Sequence, residues 1–235
     1  MINFNKFNKR KSLFFILISF ALVYSCKDSG NNLQNPPHPS IDSVRFITSS
    51  YIELDKIEKI SKFRSGIGHD YWDDYENCRS MKHYFFPFEK LDWAAVKIFA
   101  PVAGKVVKIV DEGRGMQIKI EPVNLSFYNV IIFHVKLSNP LKEGDSVRSG
   151  QLLGTHFSSE TYSDIAIASS ESNHYRLISY FNALPDSLFS KFQSKGAILR
   201  SDFIISKEER DADPLNCTGE TFGTEGKLQN WVNLK

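Results

Sequence analysis

Between residues 96 and 168 the chain alternates short apolar runs with glycine-containing turns. Met116–Glu121 alternates apolar and polar residues with a period of two, as a half-buried strand does. The predicted strands are Val96–Pro101, Lys105–Val110, Met116–Glu121, Asn129–Leu137 and Tyr162–Ala168. Short strands with such regular turns predict a mainly β fold with a compact core.

The segment before this core has a weaker pattern. Val44–Thr48 is strand-like, whereas Ile52, Ile57 and Ile60 have a spacing that favours a short amphipathic helix. Residues 64–92 carry many aromatic side chains without a clear period, and we predict a long loop there. Long irregular stretches in a compact domain usually serve a function or cover a surface, so this loop is a candidate part of a site.

After residue 170 the apolar positions take a helical spacing. Pro185 is expected to divide the helix, with Asp186 opening its second half, and Gly196 to end it. The tail from Ser206 is polar and acidic. We therefore predict a β domain over residues 44–171 and a helical or irregular C-terminal extension over 172–235.

The first 25 residues have the features of an export signal. Four basic residues precede Leu13–Tyr24, an apolar run that is too short to span a bilayer as a mature helix. The run ends just before Ser25-Cys26, which resembles a bacterial lipobox with Cys26 as the acylated residue. A plain signal peptide or an N-terminal anchor is the alternative. Residues 26–43 are rich in Asn, Pro and Ser and are predicted to be a flexible tether.

Removal of this signal changes the charge of the protein. The whole chain has 29 basic and 27 acidic side chains, and residues 1–25 contain four of the basic ones and none of the acidic ones. The mature chain therefore carries 25 basic against 27 acidic side chains, a net charge of −2. No basic stripe indicates nucleic-acid binding, and no later apolar run is long enough for a membrane span.

The two other cysteines are Cys78 and Cys217. In an exported protein, two remaining thiols often pair, and a bridge here would tie the C-terminal tail to the predicted loop. Two free buried thiols are the alternative, because the sequence does not give their separation.

The candidate chemistry begins in the predicted loop. His69 and Asp73 form His-x-x-x-Asp, a spacing that suits two ligands of one metal ion. A loop hydrogen bond for His69 and a solvated surface position for Asp73 are the structural alternatives. Further along come Ala-Pro-x-x-Gly-x-Val from Ala100, His134 inside an apolar strand, and Gly-Asp-x-Val-x-x-Gly-Gln-x-x-Gly ending at Gly154. In this order the segments resemble the M23 family, the lysostaphin-like peptidoglycan endopeptidases.

The resemblance implies an M23-like β-sandwich with a duplicated hybrid motif and a zinc site. It implies that His69 and Asp73 bind zinc and that His134 is a catalytic residue that assists the metal-bound water. The family completes its site with His-x-His on a later strand. Here Asp164 and Ala166 stand at those two positions, and alanine has no lone pair for a metal.

A catalytic zinc ion needs three protein ligands and a water, so the third ligand decides the function. His83, in the predicted loop, is the substitute that we select as the third metal ligand. Asp164 and His156 are the other candidates. His83 also suits a purely structural role.

Two functions therefore follow from the sequence. The first is a non-catalytic module of the bacterial cell envelope, lipid-anchored and facing the periplasm or the cell surface, that binds peptidoglycan or an envelope protein. The alternative is a zinc metalloendopeptidase that cleaves peptidoglycan crosslinks with a rearranged third ligand. The missing His-x-His favours the first, and the retained His69, Asp73 and His134 favour the second.

Overall fold

The computed structural model describes residues 44–235 of this chain. The predicted signal, the tether and the acylation site Cys26 lie outside the described residues. Within residues 44–235, no helix is long and apolar enough to cross a membrane.

Strands make up most of the regular structure. In chain order they are β1 (Ile57–Ser61), β2 (His83–Pro87), β3 (Lys97–Phe99), β4 (Gly104–Asp111), β5 (Met116–Pro122), β6 (Tyr128–Leu137), β7 (Ser146–Val147), β8 (Leu152–His156), β9 (Ser163–Ser169), β10 (Arg176–Ile178), β11 (Cys217–Thr218), β12 (Thr221–Phe222) and β13 (Trp231–Asn233). Eleven of them form one antiparallel sheet, whose main path runs β13-β1-β2-β9-β6-β5-β4-β7. Strand β10 pairs with β9, β8 pairs with both β3 and β6, and β11 and β12 form a separate hairpin.

This architecture confirms the predicted mainly β fold class. Strands β4, β5, β6 and β9 match the predicted strands to within two residues at each end. Alternation with one buried face is the signal in β5, whereas β6 and β9 are short apolar runs bounded by turns and are buried on both faces. The sheet also extends beyond the predicted β domain, since β10 and β13 come from the C-terminal region.

Two local predictions were wrong. Residues 57–61 form strand β1 instead of an amphipathic helix, because β1 pairs with β2 on one side and β13 on the other. The predicted loop 64–92 contains strand β2, which is hydrogen-bonded between β1 and β9. In both cases pairing with strands distant in sequence overrides a weak local pattern.

The helical part of the C-terminal region is short. It consists of α1 (Tyr180–Ala183), α2 (Asp186–Gln193) and α3 (Lys207–Ala212). Pro185 separates α1 from α2, as the sequence predicted. Phe181 of α1 stacks on Phe203 with ring centroids 3.6 Å apart, and Phe189 and Phe192 of α2 also belong to the main core, so α1 and α2 pack against it.

The two faces of the central strands differ, and this difference positions the candidate site. Ile165 and Ile167 of β9 point into the large hydrophobic core. Ala166 and Ala168 point the other way, into a smaller apolar cluster. Side chains that alternate along a strand lie on opposite faces, so Asp164 lies on the side of Ala166.

Candidate functional site

A groove of about 530 Å³ opens on the side of Ala166 and Asp164. It is lined by loop residues 69–74, by the turn between β4 and β5, by β6, and by Tyr175 and Glu220. The floor of the groove is formed where β9 pairs with β2 on one side and with β6 on the other. Tyr84 of β2 lies opposite Asp164 of β9, and Ile131 of β6 lies opposite Ala166. The groove therefore sits over the middle of the sheet.

Lys82 occupies the centre of the groove floor. Its Nζ atom lies 2.5 Å from Asp164 Oδ2, and the two side chains are 1% and 0% exposed. The ammonium also lies over the ring of Phe133, 4.0 Å from the centroid, with Tyr71 and Tyr84 at 4.9 and 5.1 Å. Burial, the largest single influence, would lower the pKa of Lys82, but the charges and hydrogen bonds of Asp164 and Tyr84 together outweigh burial and raise that pKa, so the side chain is charged.

His69 reaches this ammonium from the loop above. Its Nε2 atom lies 3.1 Å from Lys82 Nζ, and its Nδ1 atom lies 2.8 Å from the carbonyl oxygen of Asp70. A carbonyl oxygen accepts a hydrogen bond, so Nδ1 carries the proton and Nε2 accepts from Lys82. Burial, followed by the nearby charge of Lys82, lowers the pKa of His69, which agrees with a neutral ring.

Gly68 fixes the position of His69. It has a φ of +77°, and a Cβ atom there would lie 2.2 Å from the ring of Tyr84. The hydroxyl of Tyr84 accepts a hydrogen bond from the backbone N–H of His69 at 3.3 Å. The loop can pass this closely over Tyr84 only because residue 68 has no side chain.

His134 enters the groove through a bulge in β6. The register between β5 and β6 shifts beside residues 133 and 134, and His134 has a φ of +58°. A bulge turns one extra side chain to the same face, so both Phe133 and His134 line the groove. His134 Nε2 lies 3.5 Å from Asp164 Oδ1, and Nδ1 lies 3.0 Å from the carbonyl oxygen of Arg114.

Asp73 lines the groove, but its carboxylate is engaged elsewhere, so the sequence prediction needs correction there. Oδ1 accepts hydrogen bonds from the backbone N–H groups of Tyr75 and Glu76, and Oδ2 accepts one from that of Leu177. The first two bonds fold the loop on itself, and the bond from Leu177 holds it against β10. The structure therefore does not bring Asp73 and His69 together as a ligand pair.

His83 also needs correction as a metal ligand. It follows Lys82 directly, so its side chain points to the opposite face of β2, where it is fully buried. Its ring nitrogens are hydrogen-bonded to the carbonyl oxygen of Ser61 and the hydroxyl of Ser179. Burial lowers the pKa of His83 to about 4. It is a neutral core residue and does not reach the groove.

Cys78 and Cys217 form a disulfide. Of the two alternatives that the sequence left open, the structure therefore has the bridge and not two free thiols. The bridge places the β11–β12 hairpin beside the loop, where the backbone N–H of Asp70 donates to the carbonyl oxygen of Glu220. Arg64 and Arg79 both bind the carboxylate of Glu76, which fixes the same loop from within. The groove rim is thus held by a covalent bridge and by partly buried ion pairs.

Zinc does not fit the residues as they are arranged. Within residues 44–235, no cluster of three or more His, Cys, Asp or Glu side chains is suited to hold a metal ion. The ammonium group of Lys82 already lies beside Asp164. It presents hydrogen-bond donors to the carboxylate, whereas a metal ion would accept an electron pair from it. Asp73 and His83, predicted as ligands beside His69, are held away from this point.

Comparison with known proteins gives similarity of fold only. No protein-family model and no curated protein matches the chain. Among solved structures, it is similar to LytM of Ruminococcus gnavus ATCC 29149, assigned as a glycyl-glycine endopeptidase, with 18% identity, 43% of each chain covered and a TM-score of 0.35. For Csd3 of Helicobacter pylori the identity is 16%, with 64% of this chain and 40% of that chain covered and a TM-score of 0.43. For lysostaphin the identity is 19%, with 41% of this chain and 39% of that chain covered and a TM-score of 0.30.

This chain spans less than half of the length of each of these three proteins. Activity does not follow from similarity at this level of identity.

The sequence reasoning missed Lys82, which is the central residue of the site. A signal for it was present: Lys82 is a lone charge in the apolar and aromatic run from Met81 to Phe86. A lysine is almost never fully buried unless it is paired, so a lysine in a buried strand predicts a partner carboxylate. The sequence does not show that the partner is Asp164.

Proposed function

We propose that this protein is a non-catalytic M23-like module of the cell envelope that binds peptidoglycan in the groove. The observation that carries the proposal is the Lys82–Asp164 pair, which fills the centre of the groove floor with a buried, neutralised ion pair. Hydrolysis in this fold needs a metal-bound water at the floor, and these residues supply no place for one. The groove above the pair remains open.

The rim of the groove has the chemistry of a saccharide and peptide site. Trp72 is 50% exposed, and its flat face offers apolar contact to a sugar ring. Among the lining charges, Asp74, Glu112 and Glu220 reach solvent, against one exposed guanidinium, that of Arg114. An excess of carboxylates is complementary to the free amines of peptidoglycan stem peptides.

Lipid attachment at Cys26, with residues 27–43 as the tether, would place this groove near the cell wall. We include this anchor in the proposal on the signal-like pattern of residues 1–25 and on Ser25-Cys26. The Cys26→Ser variant is expected to lose the acyl group and to leave the membrane fraction. Unchanged membrane partition of that variant would contradict the anchor.

Sedimentation with purified peptidoglycan sacculi tests the proposed binding. Trp72→Ala is expected to reduce the bound fraction, and Phe127→Ala is the matched control, because Phe127 is 57% exposed but does not line the groove. No soluble muropeptides are expected to appear, with or without added zinc. Equal binding by the two variants, or no binding by the wild type, would reject peptidoglycan as the ligand. Release of fragments that depends on His134 would instead favour the metalloendopeptidase.

A further inference from the structure

Residues 186–200 form a basic segment at the surface of the C-terminal region. It consists of α2 and the turn that follows, and it contains Lys191, Lys195 and Arg200 against one acidic residue, Asp186. Three basic side chains against one acidic side chain give it a net charge of +2, whereas the mature chain carries −2. Positive charge is therefore concentrated here in a protein that is otherwise acidic.

The basic segment also presents two neighbouring apolar side chains to solvent. Ile198 is 71% exposed and Leu199 is 59% exposed. Among the exposed large hydrophobic residues of the described range 44–235, Ile198 is the most exposed, and these two are the only ones adjacent in sequence. Single exposed apolar residues are ordinary, but an adjacent apolar pair among basic residues has the chemistry of a membrane-surface contact.

The fold holds this apolar pair in place. The backbone N–H groups of Ile198 and Leu199 donate to Asp202 Oδ2 at 3.0 and 2.7 Å, and the carbonyl oxygen of Ile198 accepts from Gln193 Nε2 at 3.0 Å. The hydrogen-bonding groups of the turn are thus satisfied within the protein. The two side chains can therefore enter an apolar phase without unfolding the turn.

The predicted tether joins the described part of the chain beside the basic segment. Arg45 Nη1 lies 2.6 Å from Asp186 Oδ1, and Arg200 binds the same oxygen at 2.7 Å, so Arg45 adds a further positive charge there. The tether, residues 27–43, has 17 residues, and a flexible chain of that length has an r.m.s. span of about 20–25 Å. A lipid at Cys26 would therefore keep the basic segment close to the bilayer.

We propose that the basic segment docks on an anionic lipid surface. Lys191 and Lys195 bind headgroup phosphates, and Ile198 and Leu199 enter the boundary between headgroups and acyl chains. Such a contact is weak alone, and it adds the second signal that stable anchoring by an acyl chain requires. The inference rests on the anchor at Cys26 included in the proposed function. It does not depend on the ligand of the groove, because no residue of the basic segment lines the groove.

The test is quenching of tryptophan fluorescence by lipids with brominated acyl chains, with the purified full-length protein on vesicles. Leu199→Trp is expected to show quenching beyond that of the wild type on an equimolar mixture of phosphatidylcholine and phosphatidylglycerol, and much less on phosphatidylcholine alone. Tyr75→Trp is the matched control, because Tyr75 is 58% exposed in the loop of the groove rim. It should show no more quenching than the wild type.

Charge reversal tests the electrostatic part of the contact. In the Leu199→Trp protein, Lys191→Glu/Lys195→Glu should remove most of the quenching on the mixed vesicles. Lys142→Glu/Lys227→Glu changes the net charge by the same amount at two exposed lysines of other segments and should leave the quenching unchanged.

Three results would overturn the inference. The first is equal quenching of Leu199→Trp and Tyr75→Trp, and the second is equal quenching of Leu199→Trp on neutral and anionic vesicles. The third is Leu199→Trp protein with the urea midpoint of the wild type and no added quenching, which would leave the apolar pair to a protein partner. Membrane partition of Cys26→Ser reports the anchor separately, and sedimentation of Trp72→Ala with sacculi reports the groove. Failure of the docking contact is therefore distinguishable from failure of the proposed function.

Discussion

Lys82 Nζ and Asp164 Oδ2 lie 2.5 Å apart at a point where both side chains are closed to solvent. Residues from β9 and from the approach to β2 meet there because these two strands pair antiparallel, with Tyr84 opposite Asp164. Within residues 44–235 neither oxygen of Asp164 has a hydrogen-bond partner apart from this ion pair. Each member of the pair therefore depends on the other for compensation of its buried charge.

Asp164→Ala should consequently be strongly destabilising. Removal of one partner of a buried pair leaves an uncompensated charge and costs about 3–5 kcal/mol of unfolding free energy. The double variant Lys82→Met/Asp164→Leu should recover most of this loss, since an apolar replacement of both partners is often neutral. Urea denaturation measures the unfolding free energy of the single and the double variant. The exposed pair Lys207–Asp211 is the control, and Lys207→Met should cost less than about 1 kcal/mol. Equal losses of unfolding free energy at the buried and the exposed pair would contradict the conclusion that Asp164 compensates the buried charge of Lys82.

Gly68→Ala should displace His69. The new Cβ atom would lie 2.2 Å from the Tyr84 ring, and the backbone φ of +77° adds strain for any side chain. Alanine at a positive φ alone costs more than about 1 kcal/mol, so the clash should bring the loss above that. Gly113→Ala is the matched control, because its φ is +72° and nothing lies within 4 Å of the added Cβ atom. Thermal unfolding of the two variants separates strain from clash, and identical losses would show that the contact with Tyr84 is unimportant.

Loss of the Cys78–Cys217 bridge should destabilise the protein and loosen the groove rim. The cysteines are 139 residues apart, and the chain-entropy model gives about 5 kcal/mol for a loop of that length, an upper figure because measured effects are often smaller. Thiol titration of the denatured, unreduced protein should find neither cysteine free. Cys78→Ser/Cys217→Ser should unfold at lower urea concentration than the wild type. Two titratable thiols in exported protein would contradict the bridge.

His83 should make stability depend on pH between about 6.5 and 4. Burial lowers its pKa from 6.5 to about 4 in the folded protein, so in this window the unfolded chain takes up a proton that the folded protein does not. Stability therefore falls as pH decreases, by about 3 kcal/mol at the acid end of the window. His83→Gln should flatten this dependence in urea titrations at pH 7 and pH 4.5. His174→Gln changes an exposed histidine and should leave the pH dependence of stability unchanged. Equal slopes for wild type and His83→Gln would show that His83 is not responsible.

The order of the motifs allowed part of the site to be predicted from sequence. His69 and His134 were both selected, and the structure places both on the groove, each with Nε2 toward the floor. The resemblance assigned Asp164 and Ala166 to the same site as His134, and the structure pairs their strand, β9, with β6. The predicted partners Asp73 and His83 did not join them, although one lies on the groove wall and the other is next to Lys82 in the chain.

The sequence by itself determined strands β4, β5, β6 and β9, the position of the helix break at Pro185 and the two histidines of the groove, because local period and motif order are properties of the chain. The tertiary structure decided which side chains meet at the floor. Lys82 and Asp164 are separated by 81 intervening residues and meet only through the β2–β9 register. His134 faces the groove only because a bulge in β6 shifts the alternation of side chains. A shift of one residue in register moves a side chain to the opposite face of a sheet, so a site built across strands is fixed by pairing and not by local pattern.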